Sequence, residues 1–244
     1  MSIRRTLYLR ARVRELFPPD DPVVPCLLRL MAAVDDLRTL GKLWLYAQSR
    51  VGNTPSEQEI IKAEHIYLFR LTCATLYEAA KAFQDFRQAL EMAGLLGTVA
   101  RLEDSARDAF EALHTVFHQN FESRGWGRIL VQLRNAAGFH YDAPRVFRAE
   151  LLNHEEFGDV VLGEIVGVSR YLLADDLQVQ IIKRPLGADF DNNLIELSRT
   201  VGALTNDMGA LVDGWVGLYL ETNAGGISER RDETVDTGLL WGLP

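Results

Sequence analysis

The sequence predicts a predominantly all-α protein, an antiparallel up-and-down helical bundle with a C-terminal extension. Three observations predict it. Apolar residues recur at three- and four-residue spacing through most of the chain. The breaks between these runs are short and carry Gly, Pro or Asn. A chain of 244 residues, 48% of them hydrophobic and 25% charged, is long enough to bury a core without disulfide or metal staples. The pattern divides the chain into a basic N-terminal segment over 1–21, the bundle over 22–144, an extension packed on the bundle over 145–222, and a mobile tail over 223–244.

In order along the chain, residues 4–16 read as a short basic amphipathic segment that ends at Pro18-Pro19. From Pro22, Val23, Leu27, Leu30, Met31, Val34, Leu37, Leu40, Leu43 and Trp44 keep the spacing of one buried helical face. Val51-Gly52-Asn53 breaks it, and Thr54-Pro55-Ser56-Glu57 offers capping chemistry with proline in the first turn. A very long helix follows over about 55–92, punctuated by Gly94 and Gly97. Further helices are predicted over about 102–119 and 122–138, which completes a bundle of four amphipathic helices with short links.

After Pro144 the spacing changes. Residues 145–157 read as a short helix, and 160–184 become rich in Val, Ile, Leu and Tyr. Ala174-Asp175-Asp176 separates two such runs, which predicts a short β-hairpin. A last long helix over about 190–222 follows Asp189 and Asp191 as candidate caps.

Composition excludes several classes. The net charge of −8 is wrong for a protein that coats nucleic acid, so any such role needs a local basic patch. Cys26 and Cys73 have no metal-ligand spacing and sit in apolar helical contexts, where a thiol acts as a small hydrophobe. No apolar run reaches the roughly 18–20 residues of a membrane span. The N-terminus has five arginines in its first sixteen residues and no apolar signal core. A cytoplasmic protein without a membrane partner is the expectation.

The stretch that carries chemistry runs from Arg124 to Asp142. On a helical wheel at about 100° per residue, Ile129, Leu130, Leu133, Ala136 and Ala137 form the buried face. Arg124, Arg128, Gln132 and Asn135 form the solvated stripe. If the helix continued, His140 would project near the centre of the buried face and Arg134 at its edge. Such groups are costly against an apolar face unless they are paired or line a polar cleft. The plain reading is an Arg134–carboxylate pair and a hydrogen-bonded core histidine. Ala136-Ala137-Gly138 has little bulk, which lets another backbone approach, and Gly138 leaves His140 able to turn toward Arg134.

Arg134-Asn135, four intervening residues, then His140-Tyr141 resembles the motif of the HEPN superfamily: an arginine, a polar residue and a histidine a few positions on. The string Leu-Arg-Asn-Ala-Ala-Gly-Phe-His-Tyr-Asp covers about ten residues, and a compatible helical layout covers 22–140. The resemblance implies metal-independent RNA cleavage, as in defence, toxin or RNA-processing systems. It implies no cofactor, a homodimer with a composite site, and in some systems an antitoxin or partner protein. His140 would then be the general base or acid, Arg134 the group that stabilises phosphoryl charge, and Asn135 a hydrogen-bonding partner of phosphate or histidine. These three are the candidate catalytic residues; Tyr141, Arg128 and Glu78 are the candidate binding residues.

Two features depart from the family. Members controlled by nucleotidylation carry tyrosine two positions after the histidine, where this chain has Asp142. Asp142 also sets negative charge beside His140, which favours the protonated imidazole or competes with phosphate. Residues from 145 onward lie outside the resemblance.

Two other readings compete. A catalytically silent HEPN-like module would act through protein–protein interaction. A metal-binding oxidoreductase bundle would use Glu111-Ala-Leu-His114 with His118, but no second Glu-x-x-His exists and these histidines read as an exposed polar stripe. Glu78-Ala-Ala-Lys81 reads as a solvated intrahelical pair, or as a carboxylate that faces the Arg134–His140 cleft. Trp126, between Gly125 and Gly127, is a helix-start anchor or a base-stacking platform. Locally, 121–150 hold five arginines against Glu122, Asp142 and Glu150, a small basic stretch within an acidic chain. Few phosphates can be neutralised at once, so the footprint on RNA is small.

Overall fold

A computed structural model describes residues 3–118, 120–123, 125–137, 177, 179–183, 186–187, 189–223 and 227–236. The described residues form a predominantly α-helical bundle with a small β element. The order is β1 (Ile3–Ala11), α1 (Val13–Leu16), α2 (Val24–Ser49), α3 (Pro55–Met92), α4 (Asp104–Val116), α5 (Gly125–Ala137), α6 (Phe190–Thr222) and β2 (Ile227–Asp236). Tight 3-10 turns at Leu96–Arg101 and Phe121–Ser123 lead into α4 and α5.

The start of α3 follows from a reciprocal cap. The Glu57 amide donates to Thr54 Oγ1 at 3.2 Å, and Glu57 Oε2 accepts from the Thr54 amide at 3.1 Å. Two amide donors that would otherwise lack partners are satisfied where proline lacks one of its own. The expected bounds of α3 and α6 match those observed.

The chain falls into two compact units, each assembled from separate stretches. One comprises Met1–Asp36, Ala79–His118 and Leu204–Pro244. Leu27, Leu30, Val34, Phe83, Phe86, Leu113, Met208 and Leu211 are buried in it. Phe83 meets Phe110 edge-on with centroids 5.8 Å apart, and Phe86 meets Trp215 at 5.3 Å and 85°. Such edge-to-face geometry suits the ring quadrupoles. Helices α4 and α6 approach closely at Gly214, where a Cβ would lie 2.4 Å from Ala106 Cβ. In the same unit, Tyr219 donates to Asp21 Oδ2 at 2.6 Å and Asn223 Nδ2 donates to the Leu16 carbonyl at 3.1 Å.

The other unit comprises Leu37–Glu78 and Gln119–Ala203. Here Leu40, Ala47 and Leu68 form a core cluster, flanked by Trp44 and Leu71. Phe121, Leu130 and Leu133 are also buried, as Leu130 and Leu133 were expected to be.

Three expectations need correction. Residues 4–16 are not one amphipathic segment: 3–11 form a strand, followed by the single helical turn α1. The tail beyond 223 contains a second strand, which pairs antiparallel with the first from Ile3 opposite Asp236 to Arg10 opposite Glu229. Ile3, Thr6, Leu7, Tyr8 and Leu9 favour a pleated strand, but the partner lies at the far end of the sequence, where local periodicity cannot show it. The predicted hairpin also fails over its described part, since Leu177 and 179–183 are helical. Leu177, Ile181 and Ile182 are buried at helical spacing, and a short apolar run does not distinguish strand from helix. The first run of that hairpin and the predicted helix over 145–157 lie outside the described residues.

Candidate functional site

The candidate site is built where α5 meets the middle of α3. Entry into α5 is constrained by Gly127, where a Cβ would sit 2.2 Å from the Phe121 carbonyl oxygen. Only glycine lets the 3-10 turn at Phe121–Ser123 pack against the first turn of α5. With Leu130 and Leu133 anchored inward, the last turn of α5 presents Arg134 toward α3.

Three neighbours surround Arg134. Its Nη2 lies 3.3 Å from Glu78 Oε1, and its Nη1 donates to Asn135 Oδ1 at 3.1 Å. Its guanidinium carbon stands 5.4 Å from the centroid of the Tyr77 ring, within cation–π range. Tyr77 in turn donates its hydroxyl proton to Glu122 Oε1 at 2.7 Å, and its ring leans on Phe121 with centroids 6.2 Å apart. The pair is open to water: the Arg134 side chain is 32% exposed and that of Glu78 50%. The guanidinium retains donors beyond these two bonds among the described residues.

The structure therefore brings together Arg134, Asn135 and Glu78 of the sequence-derived set. Arg128 is exposed on the outer stripe of α5. His140 and Tyr141 lie outside the described residues, as do Arg124 and the side chains of Ala136 and Ala137. Glu78, read either as an intrahelical pair with Lys81 or as a carboxylate facing the Arg134–His140 cleft, contacts Arg134. Trp126 is half-buried. Sequence reasoning missed Tyr77 and Glu122. No spacing rule links a tyrosine on α3 to an arginine on α5, although Tyr77 directly precedes the glutamate that was singled out.

Elsewhere, His118 Nδ1 lies 3.0 Å from the Thr115 carbonyl and His114 stacks on Phe110. Among the described residues no group of three or more His, Cys, Asp or Glu is placed to hold a metal ion. No described helix is long and apolar enough to cross a membrane. Burial pushes the Cys73 thiol up to about 12, so that sulfur stays protonated and unreactive at neutral pH.

No family model, curated protein or solved structure matches the chain.

Proposed function

We propose that the chain is a HEPN-like, metal-independent endoribonuclease of the defence, toxin or RNA-processing type. The observation that supports the reading is the partly exposed Arg134–Asn135 pair at the end of α5, held by Glu78 and Tyr77. In the reaction, His140 accepts the proton of a ribose 2′-OH as that oxygen bonds to the adjacent phosphorus. The bond from phosphorus to the 5′-oxygen breaks, and the leaving oxygen takes up a proton. The products are a 2′,3′-cyclic phosphate and a 5′-hydroxyl. Arg134 neutralises the charge that grows on the non-bridging oxygens, a role its planar fork serves better than a point charge. Asn135 orients that fork through its side-chain carbonyl. The site is completed by a second copy, with an antitoxin or other partner protein as its control.

The test is cleavage of RNA by purified protein in excess EDTA. Cyclic-phosphate ends are expected, and His140→Ala and Arg134→Ala should each lower the rate by about a hundredfold or more. Cleavage that survives both changes would identify a contaminant and end the reading.

One observation favours a second reading. Glu78 neutralises Arg134 in the ground state, as expected of a catalytically silent HEPN-like module that works through protein–protein interaction. In that case wild-type protein and Arg134→Ala leave RNA equally intact.

A further inference from the structure

The geometry points to Tyr77 and Glu122 as positioning residues that hold the Arg134 guanidinium for phosphoryl charge. This inference rests on the nuclease reading above and extends it to two residues outside the motif. A lone arginine on a helix end samples many rotamers, and freezing them at the moment of reaction is costly. Here the guanidinium is fixed in direction before any ligand arrives. Glu78 and Asn135 hold its edges at 3.3 and 3.1 Å. Its central carbon stands over the Tyr77 ring, 5.4 Å from the centroid.

The ring is itself held. Its hydroxyl donates to Glu122 at 2.7 Å, and its side leans on the buried Phe121. Phe121 and Glu122 belong to the same 3-10 turn, which is locked against α5 at Gly127. The chain of contacts therefore starts and ends on α5: Arg134 rests on Tyr77, Tyr77 on Glu122, and Glu122 on the turn that seats the start of Arg134's own helix. Each link is short and aimed, which is what preorganisation requires, because misplacement of about 1 Å can cost about a hundredfold in rate. Tyr77 and Glu122 touch no reacting atom in this scheme. They act only through the guanidinium, so their loss should lower kcat and leave KM nearly unchanged.

The experiment measures kcat and KM for cleavage of a labelled single-stranded RNA oligonucleotide in EDTA, with thermal melting of each variant as the folding control. Tyr77→Leu removes the ring and should lower kcat about tenfold, with KM within about twofold. Tyr77→Phe keeps the ring but loses the bond to Glu122, and should lower kcat about threefold. Glu122→Leu should also lower kcat, and the double change should lower it by less than the product of the two single effects, since both cut the link between these residues. Glu122→Gln retains an acceptor oxygen and should restore most of the rate. If Arg134→Ala abolishes cleavage while Tyr77→Leu equals wild type, the inference fails and the nuclease reading stands. A rise in KM at constant kcat in Tyr77→Leu also overturns it, because the ring would then be binding RNA directly. If wild-type protein does not cleave, or cleaves as well without Arg134, both fall together.

Discussion

A buried thiol and a half-buried phenol hold their protons more tightly than free side chains do. Cys73 is wholly buried, and loss of hydration pushes its thiol up to about 12. Burial raises the Tyr219 phenol well above the ordinary tyrosine range, and the hydrogen bond to Asp21 and the charge of that carboxylate raise it further. Both groups are neutral when protonated, so the folded state holds these protons more tightly than the unfolded chain does. The unfolded thiol ionises near about 8.5 and the unfolded phenol near about 10. Stability is therefore complete below about pH 8.5 and falls as pH rises toward the folded values. Urea midpoints measured from pH 7 to 11 should decline in that order. Cys73→Ala should flatten most of the fall between about pH 8.5 and 10, and Tyr219→Phe the steeper part above it. At pH 7, Tyr219→Phe should cost about 1 kcal/mol for the lost hydrogen bond. A midpoint independent of pH up to 11 would contradict both assignments.

Between elements, close approach of backbones decides the sign of a substitution. Gly202 and Gly214 lie on the same helix α6. A Cβ at Gly202 meets nothing within 4 Å, whereas one at Gly214 lies 2.4 Å from Ala106 Cβ on α4. Gly202→Ala should therefore stabilise by up to about 1 kcal/mol through helix propensity. Gly214→Ala should destabilise by about 1–3 kcal/mol, because overpacking against a rigid Cβ outweighs that gain. Paired thermal melts check both signs. Helices of this kind were legible in the sequence for a physical reason: their hydrogen bonds are local, and caps such as Thr54 with Glu57 lie beside the residues they satisfy. The same logic made Arg134 and Asn135 legible, as neighbours on one turn. Glu78 entered only as one of two readings, and Tyr77 and Glu122 not at all, because their contacts to one another and to Arg134 join distant positions. The strand at Ile3–Ala11 escaped for the same reason, since its partner strand lies more than 200 residues away in the sequence.

At the scale of the whole molecule, the net charge is −8, and the Arg134 guanidinium is paired with Glu78. If the chain acts on RNA as proposed, few phosphates are neutralised at once, and the affinity should depend little on salt. The ribbon of β1 and β2 has a different consequence, for the order of opening and closing. It joins segments from opposite ends of the described chain, Ile3–Ala11 with Ile227–Asp236, so it gains its hydrogen bonds only after the intervening helices have brought those segments together. A two-stranded ribbon is also weak by itself. It should behave as a latch, last to close in folding and first to open at equilibrium. Hydrogen exchange should show 3–11 and 227–236 losing protection together and well before α3, since releasing either strand frees both. Protection of one strand without the other would mean that something else holds it. Since both strands belong to one compact unit, the latch reports on the integrity of that unit, whose helices hold its two halves in register.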